Sequence, residues 1–317
     1  TMRLFSGVEP LGVTPEAIRS AVGTYGVPEF GTRFVRQMLE VTRPQTFGEL
    51  VRISGLSHGT DVWLNNAQEL IENGTAPLKE VIATRDDIMT FLIHKGMDKK
   101  QAFRIMENVR KGKGLVREEV QAMQEYRIPA WYIDSCQKIK YMFPRAHAVA
   151  YVMMAFRIAY YKVYYPREFY AAFFSVRAED FDAEVILGGY DKVRQRVVEI
   201  EKMNSNAAPK DRKLLPVLEV ALEMYARGFR FLPVDLLLSD ATRFLVTKKG
   251  LLLPFSALPG LGEKAALSII EARKLGRFAS VEDLQFRAGV SRAVVDTLKR
   301  NGCLHDLPET SQLSLFA

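Results

Sequence analysis

The residues best suited to chemistry lie in YMFPRAHAVAYVMMAFRIAYYK, from Tyr141 to Lys162. Wound on a helix starting after Pro144, at about 100° per residue, this stretch has three faces. Ala148, Val152, Ala155 and Ala159 make a narrow face that lets another element approach closely. Val149, Met153, Phe156 and Tyr160 make a bulky one. His147, Tyr151, Met154, Ile158 and Lys162 make the third, with Arg145 just before it. Guanidinium and ammonium groups hold phosphate oxygens, and an aromatic ring packs on a nucleobase, so the third face suits a nucleoside triphosphate. The alternative is a core helix whose His147 finds a backbone partner. So apolar a helix should be buried or docked on more than one side. Arg157 and Lys162 interrupt it and Pro166 ends it, which excludes a membrane span.

Two further stretches carry polar groups that could face a nucleotide or a strand. Ser54 to Trp63 reads SGLSHGTDVW, where two glycines free the backbone and Ser57 and His58 offer a hydroxyl and an imidazole. No acid stands where it would complete a catalytic triad, and a helix-capping loop is the alternative. Arg104 to Gly114 reads RIMENVRKGKG, placing Lys111 and Lys113 beside two glycines. It lacks the phosphate-loop spacing, so it is a nucleic-acid backbone contact or a solvated basic loop.

Near the C-terminus, Leu251 to Ile270 predicts a helix-hairpin-helix. A short helix ends at Leu258, Gly260 and Gly262 turn the chain, and a second helix starts near Glu263 with Lys264 in its first turn. Glycines and a helix N-terminus let N–H groups approach a phosphate oxygen. An ordinary helical corner is the alternative. A second copy follows, from Val281 to Arg287, through Ala288-Gly289-Val290, to Ser291–Arg300. With Gly289 alone, its phosphate contact is doubtful, and packing the first copy is its other role.

These stretches must be positioned by a chain of 317 residues, long enough for two domains. A net charge of +7 suits a nucleic-acid partner without demanding one. Cys136 and Cys303 match no metal spacing and read as reduced thiols of a cytoplasmic protein. No signal peptide is visible, and the chain begins Thr-Met-Arg, as a fragment would. The first third reads as short helices broken by Gly and Pro. Thr14-Pro15 is an N-cap, and Thr46 with Glu49 is a capping box. Helices are expected at Tyr126–Lys140, Asp191–Lys202 and Leu214–Arg227. Strands are expected at Phe229–Leu238 and Arg243–Leu253, with a hairpin turn at Lys248–Gly250.

The run KIKYMFPRAHAVAYVMMAFRIAYYKVYYPREFYAAFFSVRAEDFD resembles the fingers of the bacterial replicative DNA polymerase III alpha subunit of PolC type. So do GVPEFGTRFVRQML (Gly26–Leu39), SGLSHGTDVWLNNAQELI (Ser54–Ile71) and the terminal QLSLF. The resemblance covers essentially the whole chain. It implies a mainly α fold with a small β element: fingers over 1–178, a duplex-binding domain over 179–305 with tandem helix-hairpin-helix motifs at about 254–302, and a flexible tail over 306–317. It further implies that Arg145, His147, Tyr151, Ser57 and His58 meet the incoming dNTP, and that Gly260, Gly262, Lys264, Lys111 and Lys113 meet primer-template DNA. Gln312, Leu313, Leu315 and Phe316 match a sliding-clamp-binding peptide, with Leu315 and Phe316 filling an apolar pocket.

Asp180-Phe-Asp182 imitates a polymerase metal pair, but it follows an aromatic helix in an acidic patch. The resemblance places the carboxylates that hold Mg2+ in the palm, upstream of this chain, so neither aspartate is expected to bind metal and the isolated chain is expected to be inactive. Palm, thumb, DNA, dNTP and clamp are its implied partners, with no membrane. A non-catalytic helix-hairpin-helix adaptor for repair is the competing reading, and a plain helical scaffold the third. Only the polymerase uses a helix carrying Arg145, His147 and Tyr151.

Overall fold

Proline and small polar residues set most of the helix boundaries. The computed structural model describes residues 1–310. Numbering only helices of eight residues or more, these are α1 (Arg33–Thr42), α2 (Phe47–His58), α3 (Arg85–His94), α4 (Lys99–Arg110), α5 (Arg117–Glu125), α6 (Ala130–Lys138) and α7 (Arg145–Tyr164). After them come α8 (Pro166–Val176), α9 (Tyr190–Met203), α10 (Pro209–Ala226), α11 (Glu263–Lys274), α12 (Val281–Ala288) and α13 (Arg292–Arg300). The Thr46 capping box forms: the Glu49 N–H donates to Thr46 Oγ1 at 3.3 Å, and Glu49 Oε2 accepts from the Thr46 N–H at 3.0 Å. Two expected boundaries move. The Tyr126–Lys140 helix starts only at Ala130, because Pro129 takes the cap position and Arg127 has φ 54°. The Leu214–Arg227 helix starts earlier, at Pro209, where a missing N–H costs nothing. Among the described residues no helix is long and apolar enough to cross a membrane.

The backbone divides into two units, residues 1–11 with 20–160, and residues 12–19 with 161–317, a boundary that falls inside α7. In the first unit, Phe5 stacks on Phe156 and meets Phe30 edge-on. A buried amide ties the 61–67 segment to α6: Ser135 Oγ donates to Asn66 Oδ1 at 2.7 Å, and Asn66 Nδ2 donates to the Asp61 carbonyl at 3.0 Å.

The second unit holds an aromatic cluster of Phe174, Phe181, Phe231 and Phe244, with ring centroids 4.9–6.3 Å apart. Its sheet has three two-residue strands, β1 (Phe231–Leu232), β2 (Leu245–Val246) and β3 (Leu251–Leu252), in the order β1-β3-β2. The turn at Lys248–Gly250 forms as expected, the Thr247 N–H donating to the Gly250 carbonyl at 3.0 Å. The strands are far shorter than expected, and β1 pairs with β3 in parallel. Pro233 and Pro254 stop β1 and β3, and Asp235 Oδ1 accepts from the N–H groups of Leu237 and Leu238 at 2.8 Å, curling that segment into a turn.

Beneath this lies a buried ionic centre. Lys162 Nζ is 2.8 Å from Glu223 Oε2, both side chains without solvent exposure, and the Tyr170 hydroxyl donates to Glu223 Oε1 at 2.7 Å. Arg227 donates to the Lys162 carbonyl and to the Tyr170 oxygen, each at 3.0 Å. Burial and the adjacent Glu223 carboxylate hold the Tyr170 phenol well above its usual range, so it stays a donor. Glu223→Ala removes the carboxylate that Lys162 and Tyr170 share and is expected to cost about 3–5 kcal/mol, read from the denaturation midpoint. Glu271→Ala, which breaks only the exposed pair with Lys274, should leave that midpoint nearly unchanged.

Candidate nucleotide and nucleic-acid interface

The helix α7 buries one seam only. Ala148, Val152, Ala155 and Ala159 are fully buried, whereas Val149, Tyr151, Met153, Met154 and Tyr160 are exposed. Burial among the described residues is thus confined largely to that seam, and the other faces are open to docking. Lys162 also leaves the face assigned to it. At about 100° per residue it lies about 40° from Ala148 and about 60° from His147, so it continues the alanine seam into Glu223 and is unavailable to a phosphate.

His147 and Tyr151 stay at the surface. His147 is exposed and makes no hydrogen bond among the described residues, so the core-histidine alternative does not describe it. The two residues join a ring cluster built from three segments. The last turn of α2 presents His58. The paired backbones of Thr60 and Tyr141 bring Phe143 over it, rings 4.7 Å apart and nearly parallel. Tyr151 lies 6.4 Å from the His58 ring and 6.2 Å from Phe143, and His147 meets Phe143 edge-on at 6.0 Å. Tyr151 keeps 48% of its surface, leaving aromatic area for a planar partner. Phe143, which the pattern search missed, sits before the helix where no periodicity marks it.

The expected loop around Ser57 and His58 is mostly helix. Ser54, Gly55 and Leu56 are buried in α2, and a Cβ on Gly55 would lie 2.6 Å from the Ala83 carbonyl oxygen. Gly55 serves close packing rather than backbone freedom. The Ser57 hydroxyl donates to the Ser54 carbonyl at 3.0 Å, as in the capping alternative, and His58 Nδ1 donates to the same oxygen at 2.8 Å. His58 Nε2 lies 2.9 Å from Glu29 Oε2, yet that oxygen is buried with no donor aimed along a hydrogen-bond direction. Glu29 has φ 69°, unusual for a non-glycine residue, in a segment fixed by the Thr24 hydroxyl donating to the Phe30 carbonyl at 2.7 Å. Arg145 stands apart from the rings. It lines a recess of about 410 Å³ with Arg52, Lys79, Lys95, Phe91 and Trp131.

At the end of α4, Arg110 and Lys111 share Glu107, at 2.7 and 3.0 Å, whereas Lys113 is exposed and its side chain has no partner among the described residues. Hydrogen bonds from Arg110, then Lys111, pull the Glu107 carboxyl down to about 2. The lowered value means this contribution to stability is full above the ordinary carboxylate range and lost as pH falls through about 2. In acid titrations monitored by circular dichroism, Glu107→Gln should flatten the profile between pH about 4.5 and about 2.

In the second unit, the hairpin turn forms where expected, although the helix before it is a single 3-10 turn, Phe255–Ala257. Leu258 and Leu261 are buried and anchor the turn, leaving Gly260 and Gly262 with open space around both Cα positions. Gly260 has φ 79°, which a side chain adopts only under strain. No side chain caps α11, and Lys264 is exposed in its first turn. The second hairpin differs. Ser291 Oγ accepts the Val294 N–H at 3.4 Å, and Ser280 Oγ accepts the Asp283 N–H at 3.1 Å. Arg287 donates to the carbonyls of Ala272, Gly276 and Arg277, stapling α12 to the end of α11. Asp180 pairs with Arg177 at 3.7 Å, and Asp182 caps the next helical turn by accepting from the Val185 N–H at 3.0 Å. Before the terminus, the carbonyls of Pro308 and Glu309 accept from Val281 and Glu282, and Glu309 pairs with Lys299. Gln312, Leu313, Leu315 and Phe316 lie outside the described residues.

Residues 1–127 match the model of the bacterial DNA polymerase III alpha subunit finger domain, and residues 228–313 match a helix-hairpin-helix motif. The DNA polymerase III PolC-type of Caldanaerobacter subterraneus is 61% identical over 316 residues. The proteins of that name from Bacillus cereus and Thermotoga maritima are 59% and 56% identical over 315 and 316 residues. The chain is similar along its whole length to PolC-type DNA polymerase III. It spans 22–23% of the length of these relatives, whereas 99–100% of the chain is matched. The fold thus has the parts named for the PolC family: mostly helical, with fingers and a helix-hairpin-helix motif. The fingers model ends before α7, so Arg145, His147 and Tyr151 rest on the PolC relatives alone.

The difference in capping makes a stability test. Ser291→Ala is expected to cost about 1 kcal/mol in thermal unfolding. Gly262→Ser, entering open space at φ −72° where a cap belongs, should gain a few tenths.

Proposed function

We propose that this chain is the nucleotide- and duplex-holding part of a PolC-type replicative DNA polymerase. Residues 1–178 act as fingers, 179–305 as the duplex-binding domain, and 306–317 as a tail for the bacterial sliding clamp. The observation that carries this reading is identity of 56–61% along the whole chain to proteins named DNA polymerase III PolC-type. The geometry supports the following roles. Tyr151 and His147, exposed beside His58 and Phe143, offer ring faces to the base of an incoming dNTP. Arg145 holds its phosphates and Ser57 keeps His58 oriented. The uncapped N–H groups at Gly260 and Gly262, with Lys264, take a backbone phosphate of the primer-template, and Lys111 and Lys113 add charge toward the strand.

The carboxylate chemistry of templated nucleotidyl transfer is not housed here. Asp180 is paired to Arg177 and Asp182 is spent on a helix cap, so the two do not fit a two-metal centre. In the complete cytoplasmic enzyme, Mg2+ belongs to the palm, and this chain alone binds without polymerising. A repair adaptor tethered to the clamp gives the exposed ring cluster nothing to do.

The test uses the complete polymerase with substitutions numbered as here. Tyr151→Ala should raise KM for dNTP about 5- to 100-fold, the worth of one stacking contact, with primer-template affinity unchanged. Gly262→Ser should weaken the primer-template with KM for dNTP unchanged. An unaltered KM in Tyr151→Ala would remove the fingers role and leave the adaptor.

A further inference from the structure

We propose that a recess at the Lys248–Gly250 turn, within the second unit, is a phosphate-binding site separate from the helix-hairpin-helix. Arg167 at the start of α8, Arg230 before β1, and Lys248 and Lys249 in the turn surround it, over a floor that includes Tyr170 and Phe229. Its volume is about 160 Å³, the scale of a phosphate group with a few waters and below the roughly 300–1,000 Å³ of a typical small-molecule pocket.

The charge balance points to an anion. No carboxylate lines the recess, and none of its four cations has an ion pair or side-chain hydrogen bond among the described residues. Elsewhere in this unit several cations are matched with acids, as in Arg196 with Asp211, Arg287 with Asp283 and Lys299 with Glu309. Four uncompensated positive groups at one opening repel each other, and an anion bound among them relieves that repulsion.

A second observation adds to the field from below. Arg227 stands under the floor, its guanidinium 5.5 Å from the Tyr170 ring centre and 5.7 Å from that of Phe229. Its partners are a carbonyl, a phenol oxygen and ring faces, with no carboxylate among them. Tyr170 passes that contact on to the Glu223 carboxylate, which Lys162 already offsets, so the charge beside the two rings adds to the field through a medium less screening than water. The recess is therefore positive at its rim, with Arg227 beside its floor.

The ligand chemistry is a phosphate monoester or diester. The DNA reading above makes a strand backbone the source, and a free nucleotide or inorganic phosphate is the other. The test uses the full chain and the Lys248→Glu/Lys249→Glu variant, both substitutions at exposed positions, with Arg167→Ala as a second variant and unchanged thermal unfolding as the folding control. Fluorescence anisotropy against a labelled primer-template across a salt series is one arm. Calorimetric titration with pyrophosphate and with dATP is the other.

On a strand phosphate, each variant weakens DNA binding severalfold and lowers the slope of log K against log salt by about 1, with no heat from either small anion. On a free phosphate, wild-type heat is lost in the variants while DNA affinity stays; this supports the site with its other source. Unchanged DNA binding together with no wild-type heat overturns the proposal. Gly262→Ser keeps the two readings separable. If it alone weakens DNA and neither small anion gives heat with wild-type chain, the duplex-binding reading stands and the recess falls. If wild-type chain ignores DNA yet takes pyrophosphate, the recess stands and the duplex-binding reading falls.

Discussion

The Lys162–Glu223 pair constrains the second unit more than any other contact. Two charges without solvent exposure are tolerable only if their remaining hydrogen-bonding capacity is met, and here it is met by residues from three helices. Lys162 comes from the end of α7, Tyr170 from the middle of α8 and Glu223 from α10, while Arg227 ties the Lys162 carbonyl to the Tyr170 oxygen. Tyr165 and Pro166 leave little slack between α7 and α8, so the pair also fixes where the aromatic cluster begins. A pure hydrocarbon centre could have packed as tightly. The ionic one adds direction, since an ammonium and a phenol share one carboxylate while a guanidinium ties the Lys162 carbonyl to the phenol oxygen.

That constraint reassigns charge. Lys162 reads in the sequence as a phosphate ligand because it stands four residues beyond Ile158, but it also stands three beyond Ala159. A helix offers both neighbours, and the buried acid decides between them. With Lys162 committed to the core, Arg145 at the other end is what remains of the two α7 cations that the sequence offers to a phosphate. Arg227, which the sequence gives no reason to notice, is left with a charge that no carboxylate neutralises.

Legibility followed the range of the forces involved. Caps and turns depend on residues three or four apart, so Thr46 with Glu49, the Lys248–Gly250 turn and the hairpin at Gly260 and Gly262 were readable directly. The start of α7 after Pro144 was readable for the same reason. Strand length was not, because Val234 and Leu236 look like strand residues until Asp235 takes up the following N–H groups. Which faces of α7 are buried within this chain was not readable, because apolar composition does not say which apolar atoms find partners. Tyr151, Met153 and Met154 stay exposed on a helix whose alanines are sealed. The ring cluster needed Phe143 and His58, far apart in sequence and joined only by the backbone pairing of Thr60 with Tyr141. Glu29, held at positive φ against His58, left no trace in the pattern at all.

The two hairpins separate structure from function by one atom type. Both turn the chain with glycine, and both lead into a helix whose first N–H groups need acceptors. At Ser280 and Ser291 the chain supplies its own oxygen, and Arg287 then binds the carbonyls at the end of α11, so the second hairpin is closed by internal bonds. At Gly262 the chain supplies none, although serine there would fit the open space and the backbone angles. A cap forgone where it is sterically free leaves donors that water or a ligand must satisfy. With Gly260 holding the turn outward on buried Leu258 and Leu261, those donors stay open, and this makes the first hairpin, rather than the second, the one whose helix start an anion can satisfy.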